Sequence, residues 1–113
     1  MDESCIFCKI VAGAIPSKKL FEDEHVIAIH DVNPAAKTHV LVMPKRHFES
    51  ILALDDPELA VKIHSAIQRA AREAGVAGGG FRVINNCGAD GGQTIPHLHY
   101  HILGGECLGP KLL

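Results

Sequence analysis

From residue 91 the sequence runs Gly91-Gly92-Gln93-Thr94-Ile95-Pro96-His97-Leu98-His99-Tyr100-His101-Ile102-Leu103, and in its second half three histidines alternate with three apolar residues. Side chains of a β-strand point alternately to its two faces, so a strand over 97–103 would put all three imidazoles on one face. Leu98, Tyr100 and Ile102 would then face a core. The stretch predicts a half-buried strand with an exposed row of groups that titrate near neutral pH.

The residues before the histidines suggest a binding loop. Gly91 and Gly92 give a flexible backbone with N–H groups, Gln93 adds a side-chain amide, and Thr94 adds a hydroxyl. These are the components of a cradle for a phosphate or another oxyanion. The alternative is an ordinary loop that leads into a surface strand.

The rest of the chain predicts an antiparallel α+β domain. Ser4 could cap a short helix over 5–11. Asp55 or Asp56 could cap a long amphipathic helix over 56–74, with Pro57 in its first turn and Gly75 at its end. Four further strands are expected, over 18–22, 25–31, 38–43 and 81–85. The expected fold is a five-stranded antiparallel sheet with one long and one short helix.

Bulk composition restricts the class of protein. The 113 residues are expected to form a single domain, 1–113, and a hydrophobic fraction of 47% is typical of a globular chain. A net charge of −2 argues against a nucleic-acid partner. No long apolar run predicts a signal peptide or a membrane span, so a cytoplasmic protein without membrane partners is expected.

The histidine row could carry nucleophilic chemistry. A neutral imidazole attacks phosphorus when a hydrogen bond to one ring nitrogen leaves the other nitrogen free. His99, the middle histidine, is the natural nucleophile, and His39 on the 38–43 strand could reach the same site. A catalytic zinc bound by the same histidines is the rival interpretation.

Cys5-x-x-Cys8 is a second candidate site. In the cytoplasm this spacing favours a metal or redox pair over a structural disulfide. His47 and the histidine row could complete a Cys2His2 zinc site. The alternative is that both cysteines are small apolar residues beneath a short helix.

The run His97-Leu98-His99-Tyr100-His101-Ile102-Leu103 resembles the motif of the histidine triad superfamily of nucleotide hydrolases and transferases. The resemblance extends over nearly the whole chain, including the Phe21–Glu24 turn, 30–35, 38–47, Asn86, 90–93 and 103–105. The Gly-Gly-Gln-Thr lead-in is similar to that of the purine nucleoside phosphoramidases of the superfamily. Thr94 stands where that branch commonly has serine.

The resemblance implies roles for the residues around the histidines. His99 would form a covalent nucleotidyl-histidine intermediate, Thr94 could help to protonate the leaving amine, and His101 would be the third catalytic residue. The α-phosphate would be held by His101, Asn86, Gly92, Gln93 and Thr94, with His39 beside it.

The resemblance also implies a nucleoside pocket and a metal site. Asp31 would accept hydrogen bonds from the ribose hydroxyls, among the pocket residues Ile6, Phe7, Ile10, Ile29, His30 and Val32. A structural zinc would be bound by Cys5, Cys8, His47 and His97. The implied assembly is a homodimer in which two sheets join into one continuous sheet.

The implied activity is hydrolysis of the P–N bond of purine nucleoside 5′-phosphoramidates, with no metal cofactor for the chemistry. Two alternatives remain open at this point. One is a dinucleoside polyphosphate hydrolase, and the other is a nucleotide-binding regulatory module whose hydrolysis is incidental.

Overall fold

A computed structural model describes residues 4–110. Within this range the chain forms an antiparallel sheet of five strands with one short and one long helix, which confirms the predicted α+β class. The elements are α1 (Ile6–Val11), β1 (Lys19–Glu22), β2 (Val26–His30), β3 (Thr38–Pro44), a 3-10 turn (Ile51–Ala53), α2 (Pro57–Glu73), β4 (Phe81–Ile84) and β5 (Tyr100–Gly104). None of the helices among the described residues is long and apolar enough to cross a membrane.

The strand order is β1-β2-β3-β5-β4, and every neighbouring pair is antiparallel. The central strand β3 pairs with β2 and with β5, and its register sets Leu41 opposite His101. Strands β1 and β4 form the two edges of the sheet in the part of the chain that the structure describes.

Both faces of the sheet are covered. On one face, α2 packs its apolar stripe against alternate residues of β2, β3 and β5, such as Ala28, Val40 and Ile102. On the other face, α1 packs against the residues that point the opposite way, such as Ile29 and Leu41. Because β3 is sandwiched, its run Val40–Pro44 is buried on both faces, as its unbroken apolar sequence predicts.

The limits of α2 follow from its end residues. The Asp56 carboxylate accepts the N–H of Leu59, Pro57 occupies the first turn, and Gly75 follows the helix with φ +79°. The predicted helix over 56–74 is therefore confirmed to within a residue at each end.

The prediction of a strand over 97–103 is wrong for its first half, because β5 begins at Tyr100. Pro96 lacks an N–H, and the N–H of His97 turns back to the carbonyl of Ile95 (2.8 Å). The N–H of Leu98 bonds to Phe48 O (2.7 Å) in a loop rather than to a sheet neighbour. His97 consequently lies outside the strand with its ring directed at the cysteines of α1, whereas Leu98 and Ile102 both lie in the α2-side core, as predicted.

The prediction that Ser4 caps α1 is also wrong. The cap is Cys5, whose Sγ accepts the N–H of Cys8 at 3.3 Å. The helix therefore begins at Ile6, and the cysteine pair itself shapes its first turn.

Candidate active site and metal cluster

His99 is held with one ring nitrogen free. Its Nδ1–H donates to the carbonyl of His97 at 2.7 Å, so the neutral ring carries its lone pair on Nε2. The Asn85 amide donates to the carbonyl of His99 (2.9 Å), and the Phe7 ring packs edge-on against the imidazole, 5.0 Å between centroids. Main chain and ring are thus both fixed, and Nε2 has the form that a nucleophile requires.

A second pair of histidines lies beside His99. The backbone N–H of Ala35 donates to Nδ1 of His39 (3.0 Å), so neutral His39 carries its hydrogen on Nε2. That Nε2–H donates to Nδ1 of His101 at 2.9 Å, and His101 in turn carries its hydrogen on Nε2. The centroids of the His99 and His101 rings are 5.1 Å apart, so the ring next to His99 carries a hydrogen-bond donor.

Charge at this site is set by burial and by the crowding of imidazoles. The pKa of His101 is lowered to about 4, first by burial and then by the neighbouring His99 and His39, against the smaller opposing effect of Asp31. Burial also lowers the pKa of His39, against the opposing effect of Asp31, whose Oδ2 lies 3.6 Å from Nε2. Both rings are therefore neutral at pH 7.

An apolar cavity of about 370 Å³ opens on the α1 face of the sheet. The seven residues that the resemblance implied for a nucleoside pocket all line it: Ile6, Phe7, Ile10, Ile29, His30, Asp31 and Val32. Asp31 adds a carboxylate to a mainly apolar wall, and its Oδ1 accepts the N–H of Asn33 (2.7 Å). The cavity has the size and lining of a small-molecule site.

The loop 86–93 is tightly closed on itself. Gln93 accepts the N–H of Gly88 and donates to the carbonyls of Glu49 and Ile95, so its amide braces the loop. The Asn86 amide donates to Gly91 O at 2.8 Å. Gly92 adopts φ +78°, and Thr94, at the end of the loop, is exposed. Asn86, Gly92, Gln93 and Thr94, four of the predicted phosphate-holding residues, therefore lie in or next to one loop, but the Gln93 amide donates to carbonyls outside it.

Cys5, Cys8, His47 and His97 come together in a second cluster, although Cys5 and His97 are 92 residues apart in sequence. Nδ1 of His97 lies 3.3 Å from Cys5 Sγ, 3.5 Å from Cys8 Sγ and 3.2 Å from Nδ1 of His47. Nδ1 of His47 lies 3.3 Å from Cys8 Sγ. The four residues that the resemblance implied as zinc ligands are thus brought together.

The donor set fits zinc. The ligand atoms of a tetrahedral zinc with two sulfurs and two nitrogens are about 3.3 to 3.8 Å apart, close to the separations seen here. The Nε2–H of His97 donates to Pro44 O (2.9 Å), which leaves Nδ1 unprotonated and directed at the sulfurs. Burial raises the pKa of the Cys5 thiol, so binding of a metal would have to displace a proton from it.

Several residues that shape the site were missed by sequence reasoning. Backbone groups of Ala35 and Pro44 fix two histidine tautomers, and the Asn85 side chain holds the main chain of His99. No side-chain pattern could have identified the two backbone groups. The cavity also takes Ile15, Leu41 and Ile95. Leu41 could have been found, since it lies two residues from His39 on the same face of a strand.

Comparison with known proteins agrees with this geometry. A model of the HIT domain matches residues 12–107. A HIT family hydrolase from Clostridium thermocellum shares 46% sequence identity and a TM-score of 0.96, with 100% of both chains covered. A histidine triad protein from Clostridium difficile shares 49% identity and a TM-score of 0.92 over 98% of each chain. A 13.2 kDa HIT-like protein of Azospirillum brasilense is 41% identical over 115 residues, which is 98% of this chain and 93% of its own length.

An α+β sheet with a histidine nucleophile candidate beside an apolar cavity is the arrangement that the resemblance to the histidine triad superfamily implied. The chain belongs to the HIT domain family.

Proposed function

We propose that this protein hydrolyses the P–N bond of purine nucleoside 5′-phosphoramidates through a nucleotidyl-His99 intermediate. The observation that carries the proposal is the free Nε2 of His99, set beside a hydrogen-bond donor and near a cavity lined by Asp31. The name of the Clostridium thermocellum relative, a HIT family hydrolase, supports the class of reaction.

In the proposed reaction, His99 Nε2 attacks the α-phosphorus and the P–N bond breaks. The leaving amine takes a proton from a nearby donor, either the Thr94 hydroxyl or the Nε2–H of His101. A water molecule then attacks the phosphorus, releases His99 and yields the nucleoside monophosphate. Hydrogen-bond donors around the phosphate stabilise the charge on its oxygens, so the chemistry is proposed to need no metal.

The proposal is tested with adenosine 5′-phosphoramidate. His99→Ala should lose turnover, while His64→Ala, which removes an exposed histidine on α2, should keep it. Denaturation of the wild type at alkaline pH during turnover should trap AMP on the protein, because a nucleotidyl-histidine bond survives in base, and the trapped label should map to His99. Full turnover by His99→Ala would exclude the mechanism. Offering diadenosine polyphosphate in competition would show whether the P–N bond is the preferred target.

We also propose that Cys5, Cys8, His47 and His97 bind a structural zinc ion. The short separations among the four ligand atoms and the fixed tautomer of His97 support this. Protein purified without chelator should contain one equivalent of zinc by elemental analysis. Zinc-free protein from zinc-supplemented growth would refute the site.

We further propose that two copies pair through the β4 edge into one continuous sheet. Phe81 and Val83 on β4 remain 39% and 44% exposed, which is unusual for large apolar residues on a sheet edge. Light scattering should give twice the mass of one chain, and Val83→Lys should reduce it to a single chain. A monomeric wild type would contradict the proposal.

A further inference from the structure

The cluster of Cys5, Cys8, His47 and His97 lies between two parts of the candidate active site, the helix α1 and the segment that carries His99. Cys5 and Cys8 belong to the N-terminal end of α1, which carries part of the cavity wall, and His97 precedes the nucleophile candidate by two residues. We infer that metal occupancy of this cluster controls nucleotide affinity, and that His97 is the positioning residue that couples the two sites. The inference rests on the proposed nucleotide site, and it adds a regulatory role to a metal that would otherwise be structural.

The first connection runs through the main chain of His97. Its ring is clamped between Pro44 O on one side and the sulfurs on the other, while its carbonyl accepts the Nδ1–H of His99 at 2.7 Å. A metal bound to the ring restrains the same residue whose carbonyl fixes the His99 tautomer. Loss of the metal frees the ring, and the carbonyl loses part of its restraint.

The second connection runs through α1. The helix has only six residues, and isolated helices of that length are unstable in water, so its position depends on its anchors. Phe7 lies between the two cysteines in sequence and packs edge-on against both His97 (5.8 Å) and His99 (5.0 Å). Ile6 and Ile10 of the same helix line the cavity. A metal that holds Cys5 and Cys8 therefore also holds one wall of the cavity against the nucleophile.

Coupling of this kind is reciprocal. If the metal tightens nucleotide binding by some factor, the nucleotide must tighten metal binding by the same factor. If the metal were purely structural and did not affect the cavity, the affinity for the metal and the affinity for the nucleotide would be independent of each other. The reciprocal effect on the metal is a measurement that does not depend on catalysis.

The first experiment measures the dissociation constant of AMP by calorimetry for zinc-loaded protein and for protein stripped with a chelator. Stripped protein should keep its far-ultraviolet circular dichroism and bind AMP about 5- to 150-fold more weakly, the usual range for coupled sites. Saturating AMP should raise zinc affinity by the same factor. Equal AMP affinity in the two forms would overturn the inference, and so would global unfolding of the stripped protein, because the metal would then be needed for folding alone.

Matched cysteine variants locate the effect. Cys5→Ser should bind AMP as weakly as the stripped protein does and should no longer respond to added zinc. Cys107→Ser, which removes an exposed thiol outside the cluster, should behave as the wild type. If Cys5→Ser retained the AMP affinity of the zinc-loaded wild type, as Cys107→Ser should, the inference would be wrong.

A second experiment needs no nucleotide. The Nδ1–H of His99 should give a slowly exchanging proton signal in zinc-loaded protein labelled with ¹⁵N, and its exchange should accelerate by at least fivefold after chelation. Unchanged exchange would overturn the coupling even if AMP binds. Accelerated exchange in a protein that fails to bind AMP would confirm the connection from the metal to His99 but refute the proposed nucleotide site, and with it the control of nucleotide affinity.

Discussion

Acid should destabilise this protein partly through His101. The pKa of this imidazole is lowered from 6.5 to about 4, first by burial and then by the neighbouring His99 and His39. Between these two pH values the unfolded chain binds more protons at this position than the folded protein does. The contribution of neutral His101 to the free energy of unfolding is therefore complete above about pH 6.5 and is lost progressively as the pH falls toward 4.

The size of the effect follows from the two pKa values of His101. Their difference corresponds to about 3.4 kcal/mol in the free energy of unfolding at the acid limit, of which about 2 kcal/mol is already lost at pH 5.0 relative to pH 7.5. Because the imidazole is only half-buried, solvent screening reduces the expected loss at pH 5.0 to about 1 kcal/mol.

Urea unfolding at pH 7.5 and 5.0, with a constant concentration of zinc, measures this loss. Wild type should lose about 1 kcal/mol more than His101→Gln, since the groups that titrate independently of His101 are common to both proteins and cancel in the comparison. His64→Gln, altered at an exposed helix position, should lose as much as wild type. An equal loss in His101→Gln and wild type would show that His101 does not titrate as the structure indicates.

Three further substitutions test the cavity, the loop and the core. Asp31→Asn should weaken AMP binding about 10- to 150-fold in calorimetry, because a charge-assisted hydrogen bond to the ribose contributes about 1.5 to 3 kcal/mol; unchanged affinity would remove Asp31 from the ribose site. Gly91→Ala should weaken AMP binding, because its Cβ would lie 2.3 Å from the backbone oxygen of Cys87 and the loop would have to shift. In Gly79→Ala the added Cβ would have no atom within 4 Å, so AMP binding should not change. Leu98→Ala should lower the free energy of unfolding by about 2 to 5 kcal/mol in urea, because Leu98 is fully buried in the α2-side core, and a loss below 1 kcal/mol would contradict that packing.

Local sequence signals predicted most of the fold because the elements carry their own boundaries. Asp56, Pro57 and Gly75 mark the ends of α2, and the structure follows them. The first half of the histidine strand was predicted wrongly because the deciding interactions are tertiary. The bond from Leu98 N–H to Phe48 O and the contacts of His97 with the cysteines cannot be read from alternation alone.

Sequence reasoning was less complete for the site than for the fold. The cysteine spacing indicated a metal or redox pair, but spacing alone could not select His47 and His97 as partners, and the resemblance supplied them. The protonation of each histidine was also beyond the sequence, because the groups that fix it include the carbonyls of Pro44 and His97 and the N–H of Ala35. These atoms are present in every residue and carry no sequence signature.

The same backbone bonds discriminate between the two chemistries that the histidine row allowed. Asp31, His39 and His101 bring three ligand atoms within 4.8 Å of one another, a group that could hold a metal ion. A neutral imidazole that binds a metal through Nε2 must carry its hydrogen on Nδ1, but Nδ1 of His39 accepts the N–H of Ala35. His39 therefore keeps its hydrogen on Nε2 and donates it to His101, which favours hydrogen bonding to a phosphate over metal binding at this position. In His97 the carbonyl of Pro44 accepts the Nε2–H and leaves Nδ1 directed at the sulfurs, so the backbone bonds support the proposed metal binding by His97 and the proposed nucleophilic role of the neighbouring His99.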